Sequence, residues 1–492
     1  MDSSSSRRIV GLDLGVATAH TAQVLDEQLQ VICKRRVVPT VAGFTALENA
    51  ALAGADPDVR LEVVIEPTGA AWLPVAVWFT RRGHSVFRVS TQKAHDLRKF
   101  LSRHAKSNTI DAHTLARLPL IDPGGLYPVH LPDTNAKATL DRRVRAAARL
   151  TDEIGQHKRR LIELARQAMP TIGSVLSPKL SRTDQAVLER YGDPRRLATV
   201  RRERLVALIC KVGHGQGDPA AKADALRTAA REALDVYGED PAICFDSLAD
   251  EMATEIRLIR TLQDERESHA RAREDAYLEV DPAQLARSLP GIAEVGGPML
   301  VAVMGDAHRF RNAAAFKAYL GLAPKASETG QTDRKGQPMS KAGNRRLRTQ
   351  LQRSAETARQ QDPQLAAIYY DQMVNKGAVH LKALCVVAAR LAERAWIVMH
   401  RGSAYEVRDT DGTPVDAATA KRIIAQRFTV PEEIRRQRRS KKGGRAPHQV
   451  LEGHASGQRS KRDNTRRPSR TQASPAHPRP SRPAARLTDH QP

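Results

Sequence analysis

The sequence predicts an α/β domain at the N-terminus, a helical middle and a mostly helical C-terminal domain with a basic tail. Three observations predict it. Residues 8 to about 125 alternate short β-branched runs with helix-length segments. From about Thr134, apolar residues recur every three to four positions with Arg and Lys between them. After about residue 430, large apolar residues become few.

In the first part, Arg8–Asp13, Thr18–Leu25 and Gln30–Val38 read as three strands of a meander, and Thr40–Leu52 as a helix. Leu61–Glu66 reads as a strand stopped by Pro67. A helix over Ala70–Arg82, a strand over Ser85–Ser90 and helices over Gln92–Ser102 and Asn108–Leu118 follow. In the second part, Leu140, Val144, Ala147, Ile154, Leu161, Ala165 and Ala168 form one apolar stripe, and Leu248, Met252, Ile256, Ile259 and Leu262 another. The two stripes suit either an antiparallel helical pair within the chain or a dimerising coiled coil, so a homo-oligomer is expected. Shorter helices fill about 171–240, with a loop at Gly213–Gly217, and Pro282 marks a boundary. Expected domains are 1–125, 126–282 and 283–405, with 406–492 as linker and disordered basic tail.

The chain has 492 residues and a formal charge of +24, with an isoelectric point near 10.3. Residues 431–492 alone hold 16 Lys plus Arg against 5 Asp plus Glu. That excess points to a polyanion such as nucleic acid. No segment approaches the roughly 18 apolar residues of a membrane span. The start, Met1–Arg8, lacks the apolar run of a signal peptide. Cys33, Cys210, Cys244 and Cys385 have no paired spacing, which suits a reducing cytoplasm and no zinc site.

Three constellations carry chemistry. Asp13 ends the run Ile9-Val10-Gly11-Leu12-Asp13-Leu14-Gly15, Glu66 ends the strand before Pro67, and Asp111 lies in a later helix. Acids that converge from separate elements can hold the ions of metal-assisted phosphodiester chemistry. A lone Asp-x-Gly is also an ordinary turn. Asn108, three residues before Asp111, shares its helical side and could offer Mg²⁺ a carbonyl oxygen. Next, Leu289-Pro290-Gly291-Ile292-Ala293-Glu294-Val295-Gly296-Gly297-Pro298 has the form of a helix-hairpin-helix. There Gly291 would let backbone N–H groups approach a phosphate, or the segment is a plain packing turn. The third spans Pro324-Lys325-Ala326-Ser327-Glu328-Thr329-Gly330, Asp333-Arg334-Lys335-Gly336 and Ser340-Lys341-Ala342-Gly343-Asn344-Arg345-Arg346-Leu347-Arg348. A hydroxyl there could attack a phosphodiester while Arg334, Lys335, Lys341, Arg345 and Arg348 neutralise charge. Otherwise it is a phosphate-binding loop in which Ser340 or Asn344 caps a helix.

These blocks, in this order, resemble the insertion sequence 110 family of transposases, the bridge-RNA-guided recombinases. The likeness covers roughly residues 8–120 and 286–400. Its most specific parts are Pro290-Gly291-Ile292, Phe310-Arg311, Tyr319-Leu320-Gly321-Leu322-Ala323-Pro324 and Ser340-Lys341-Ala342-Gly343-Asn344. The resemblance implies an RNase H-like, RuvC-like N-terminal domain with a DEDD acidic set, a coiled coil, and a transposase domain with a serine nucleophile. Asp13, Glu66 and Asp111 match the first, second and fourth acids, and Asn108 stands at the third. Thr329-Gly330 stands where the family has Ser-Gly, with Ser327 the nearest other hydroxyl.

The resemblance further implies Mg²⁺ held by Asp13, Glu66, Asn108 and Asp111, attack by Thr329, and DNA as substrate. It implies a structured guide RNA and a bacterial, nucleoid-associated setting. Two other functions suit the same residues: a metal-dependent junction nuclease using water, and a DNA-binding protein without catalysis. A sugar kinase, which also begins with Asp-x-Gly, would need a second phosphate loop and an adenosine-binding glycine run; Asp411-Gly412-Thr413 is a poor candidate, and a charge of +24 is odd for a kinase.

Overall fold

The computed structural model describes residues 7–66, 68–101, 107–123, 126–214, 217–238, 243–324, 328–329, 332–333 and 337–439. The N-terminal sheet has five strands: β1 (Arg8–Asp13), β2 (His20–Leu25), β3 (Val31–Val37), β4 (Leu61–Ile65) and β5 (Ser85–Arg88), in the order β3-β2-β1-β4-β5. β1, β2 and β3 pair antiparallel, and β4 and β5 run parallel to β1. The meander therefore forms as the alternating pattern predicts. The two crossovers that parallel pairing demands use α1 (Val41–Leu52) and α2 (Trp72–Arg81). Thr40 caps α1 by accepting from the Gly43 N–H.

Both faces of this sheet are covered. Val10, Leu12, Val63 and Ile65 pack with Phe44 of α1 and Phe79 of α2. Ile9, Leu25 and Val64, on the other face, pack with Ala94 of α3 (Thr91–Leu101) and with Leu115, Ala116 and Leu118 of α4 (Asn108–Ile121). Gly11 sits between Ile9 and Asp13 on this second face, because side chains alternate along a strand. A Cβ placed on Gly11 would fall on the Ala112 carbonyl oxygen and lie 2.5 Å from the Ala116 nitrogen. Helix α4 thus rests backbone to backbone on β1, a close approach that only glycine allows.

The second part is a spine. Helices α5 (Asn135–Ala168) and α10 (Phe245–Val280) run antiparallel, as their paired residues show. Arg143 Nη1 meets His269 Nδ1 at 2.8 Å, and His157 Nδ1 meets Glu255 Oε2 at 2.6 Å. Their stripes are buried in two cores. Ile154, Leu161 and Ala165 join Met252, Ile256 and Ile259 with α6 (Arg182–Tyr191), α7 (Pro194–Thr199), α8 (Arg202–Gly213) and α9 (Pro219–Tyr237). At the other end, Leu140, Val144, Ala276 and Tyr277 enter the C-terminal core. The chain closes its own apolar seam, so these stripes do not call for a second copy.

The C-terminal region holds α11 (Leu285–Ser288), α12 (Gly296–Met304), α13 (Ala313–Tyr319), the two-residue strands β6 (Glu328–Thr329) and β7 (Thr332–Asp333), α14 (Arg345–Gln361), α15 (Pro363–Tyr370), α16 (His380–Arg401), α17 (Ala417–Arg427) and α18 (Glu432–Gln437). The sequence reading expected a linker and tail from residue 406, yet 406–439 are built into this domain. Buried Asp362 is ion-paired with Arg394 at 3.0 Å and accepts from the Tyr405 hydroxyl at 2.6 Å. Gln364 donates to the Asp409 carbonyl, the His380 N–H donates to the Arg438 carbonyl, and Val430 is buried in the core. A few anchors hold this segment in a stretch whose overall polarity reads as a linker. Residues 440–492 lie outside the described residues.

If α4 rests on β1 through Gly11, Gly11→Ala must push two backbones apart. The expected loss is about 1–3 kcal/mol or more, read as a lowered midpoint in urea unfolding.

Candidate metal and nucleic-acid site

The pairing of β1 with β4 ends at Leu12 opposite Ile65. Asp13 and Glu66 are the next residues on these two adjacent parallel strands. Asp13 follows Gly11, and Glu66 follows Val64, in step with the face that α4 covers. Asp111 lies in the first turn of α4, directly before the Ala112 that touches Gly11. The fold thus brings three carboxylates from three elements to one edge of one sheet face. Each is half-buried.

Helix α4 begins at this edge. Ser107 caps it, its hydroxyl accepting from the Ile110 N–H at 3.2 Å. Asn108 is the first helical residue and is exposed, one turn before Asp111. Asp111 Oδ1 accepts from Arg98 Nη1 of α3 at 3.0 Å, and Arg98 Nη2 lies 2.9 Å from His95 Nδ1. Arg98 is a site residue that sequence reasoning missed, since nothing in the spacing links α3 to α4. On the other flank of α4, burial holds the proton affinity of His113 below that of an ordinary histidine, and nearby Arg117 and Lys34 lower it further.

In the C-terminal domain, two of the sequence blocks are stitched together. The N–H groups of Ser340, Lys341 and Asn344 donate to the carbonyls of Ala323, Gly321 and Tyr319. Gly321 has φ +70, and a Cβ on Gly343 would stand 2.6 Å from the Gly321 nitrogen. These blocks form the base of the segment that carries Thr329. Thr329 ends β6 and pairs with Thr332 of β7. Its side chain, together with Ser327, Arg334 and Lys335, lies outside the described residues.

The basic residues of this block divide. Arg348 is buried and donates through Nη1 to the Leu320 carbonyl at 2.9 Å and the Lys341 carbonyl at 3.1 Å. It ties the base together and faces away from solvent, whereas the sequence reading put it beside Arg345 as a phosphate contact. Arg345 opens α14 and is exposed, as is Lys341, whose φ is +58. Asn344 caps α14 by accepting from the Leu347 N–H at 3.0 Å, one of the two cap candidates in the sequence. Gly291 also differs from its expected role. Its N–H donates to Gln361 Oε1 at 2.8 Å, and a Cβ on it would lie 2.8 Å from the Ala358 nitrogen of α14. A phosphate there would have to displace Gln361, so Gly291 serves close packing of α11–α12 on α14.

The family model of IS110-type DEDD transposases matches residues 10–170, and that of the transposase IS116/IS110/IS902 family matches residues 283–370. The chain belongs to the IS110 family of transposases. Among its relatives is the insertion element IS110 uncharacterized 43.6 kDa protein of Streptomyces coelicolor, 28% identical over 280 residues, covering 54% of this chain and 64% of that protein. The insertion element IS116 uncharacterized 44.8 kDa protein of Streptomyces clavuligerus is 25% identical, covering 81% of this chain and 96% of its own. A probable family 20 transposase of Pseudomonas aeruginosa is 37% identical over 105 residues, 21% of this chain and 28% of that one.

The first IS110 match spans Asp13, Glu66, Asn108 and Asp111, and the second spans the stitched blocks and Thr329. Among the described residues, no three His, Cys, Asp or Glu side chains close around one point as a formed metal site. The donor chemistry nevertheless suits a hard divalent cation, with carboxylates following β1 and β4 and in the first turn of α4, and Asn108 one turn before Asp111. Arg98 occupies one oxygen of Asp111. No described helix is long and apolar enough to cross a membrane.

The two arginines of α14 separate by experiment. Arg348→Ala strands the buried Leu320 carbonyl and the half-buried Lys341 carbonyl and should lower stability by about 1–3 kcal/mol. Arg345→Ala should leave the unfolding midpoint within about 0.5 kcal/mol of wild type and weaken only nucleic-acid binding. Equal destabilisation by both would contradict the assignment.

Proposed function

We propose that this chain is a DNA transposase that cuts and exchanges strands at the ends of its own insertion element. In this reading the N-terminal domain is RNase H-like, of the RuvC type. The single observation that carries the reading is the gathering of Asp13, Glu66 and Asp111 on one sheet face by the Gly11–α4 contact. The family and the charge of +24 agree with a DNA substrate.

Asp13, Glu66, Asn108 and Asp111 would hold Mg²⁺, which when bound supplies Lewis-acid polarisation of the scissile phosphate and charge neutralisation. Thr329 Oγ attacks phosphorus, its proton passing to a nearby base. The bond from phosphorus to the 3′-oxygen breaks, that oxygen takes up a proton, and the DNA is left joined to the protein through a 5′-phosphothreonine. The exposed cations Lys341 and Arg345 flank the Thr329 segment and would steady its phosphates. Reversal of the step on a second strand reseals the DNA without a nucleotide cofactor. A structured RNA from the element would select the partner DNA, and two copies would complete the assembly.

Recombination between two plasmids bearing the element's ends tests the reading. Asp13→Ala, Glu66→Ala and Asp111→Ala should each reduce recombination by about a thousandfold or more, in line with loss of a shared metal ligand or transition-state donor, with DNA binding retained. Thr329→Ala should be inactive, Thr329→Ser active, and Ser327→Ala near wild type. Peptide sequencing of a denaturation-resistant protein–DNA adduct should find Thr329. Cleavage by the wild type with no adduct and a 5′-phosphate product would instead identify a hydrolytic nuclease.

A further inference from the structure

The meander has a further consequence. β2 and β3 pair in a register that sets Thr21 opposite Arg36 and Gln23 opposite Lys34. β1 and β2 set Asp13 opposite Thr21 and Gly11 opposite Gln23. Directly paired residues share a face. Arg36, Thr21, Asp13 and Glu66 therefore form one row across β3-β2-β1-β4, and Lys34, Gln23 and Gly11 form the next. Arg36 lies two strand spacings from Asp13, about 10 Å between Cα atoms. Lys34 and Arg36 are exposed. Across the site, Arg98 bounds the acids from α3. The acidic edge thus sits between two cationic flanks, one of them on an open edge strand.

We propose that Arg36, seconded by Lys34, is a phosphate-contact site for the DNA strand being cut, holding a backbone phosphate next to the scissile one at the acidic edge. The proposal rests on the acidic edge being the cleavage site. An anionic strand entering a carboxylate site meets repulsion, which cations in the same row offset. The guanidinium offers a planar fork suited to phosphate oxygens. The rival account is that Lys34, Arg35 and Arg36 merely protect an edge strand from pairing with other chains. Arg35 separates the two. It pairs with Ala22, whose side chain lies in the core under α1 and α2, so Arg35 belongs to the opposite face. Arg35→Ala and Arg36→Ala remove the same charge from the same edge strand, and only one of them faces the acids.

The experiment uses the full chain with the element's structured RNA and linear DNA carrying an end of its element. Binding is measured in Ca²⁺ over a range of salt, and strand cleavage in Mg²⁺. Arg36→Ala should weaken binding about tenfold and reduce the slope of log K against log salt by about 0.9, the loss of one duplex phosphate contact. Cleavage at limiting protein should fall in parallel. Arg36→Lys should restore the salt slope and part of the affinity, and Arg35→Ala should match wild type. Unfolding midpoints of the three variants check that each is folded. Equal effects of Arg35→Ala and Arg36→Ala, or no effect of either, would overturn the proposal. Asp13→Ala, run alongside, keeps the two questions apart. If it abolishes cleavage while Arg36→Ala behaves as Arg35→Ala, only the phosphate contact falls. If Asp13→Ala cleaves as wild type, the acidic edge itself is not the cleavage site.

Discussion

The absence of a side chain at Gly11 is the constraint on which the site depends. Because nothing stands between β1 and α4, the helix descends until the Ala112 carbonyl and the Ala116 nitrogen meet the strand. That descent fixes the height of the first turn of α4, which carries Asp111, over the face on which β1 and β4 lead to Asp13 and Glu66. The helix is held there by Leu115 and Leu118 in the core with Ile9 and Val64. The cap at Ser107 and the Arg98 pair then set the start of the helix and the orientation of the carboxylate. Packing, capping and charge act in sequence on one short stretch of backbone.

The C-terminal domain solves a different problem, which is to hold the base of a short two-stranded segment on an otherwise helical body. It does so with backbone hydrogen bonds between 319–323 and 340–344, glycines where the two strips touch, and the buried guanidinium of Arg348 over both. Burying a guanidinium is costly unless it is hydrogen-bonded, and here two carbonyls accept from Nη1. Between the two domains, the α5–α10 spine places one end of its seam in the C-terminal core and the other in the helical middle.

Much of this was legible in the sequence where a local rule suffices. Strand alternation marked β1 to β5, and Asn344, one of two cap candidates, marked the start of α14. Apolar periodicity marked the spine, though it could not say whether the seam would close within the chain or between chains. The apolar runs that lead to Asp13 and Glu66 were legible as strands, and the helix that carries Asp111 as a helix. What escaped needed tertiary knowledge. Gly11 inside a strand was a signal of close backbone approach, but not of which helix approaches. Arg348 was read from its distance to Arg345, whereas its neighbours Leu347 and Leu351 turn it inward to two waiting carbonyls. Arg98 joins the site through a helix whose packing on α4 no spacing reveals. Residues 406–439 are held by isolated anchors, such as the Asp409 carbonyl that accepts from Gln364 and buried Val430, in a polar stretch, so composition concealed their place in the domain.

The central claim, that the sheet edge at Asp13, Glu66 and Asp111 holds a divalent ion, has a direct physical readout that does not depend on catalysis. Fe²⁺ loaded in place of Mg²⁺ generates hydroxyl radicals with ascorbate and peroxide, and these cut the polypeptide next to the ion. The account predicts cuts after Asp13, after Ile65 and in the first turn of α4, all suppressed by excess Mg²⁺ and lost in Asp13→Ala. Cuts elsewhere in the chain, or a pattern unchanged in Asp13→Ala, would contradict it.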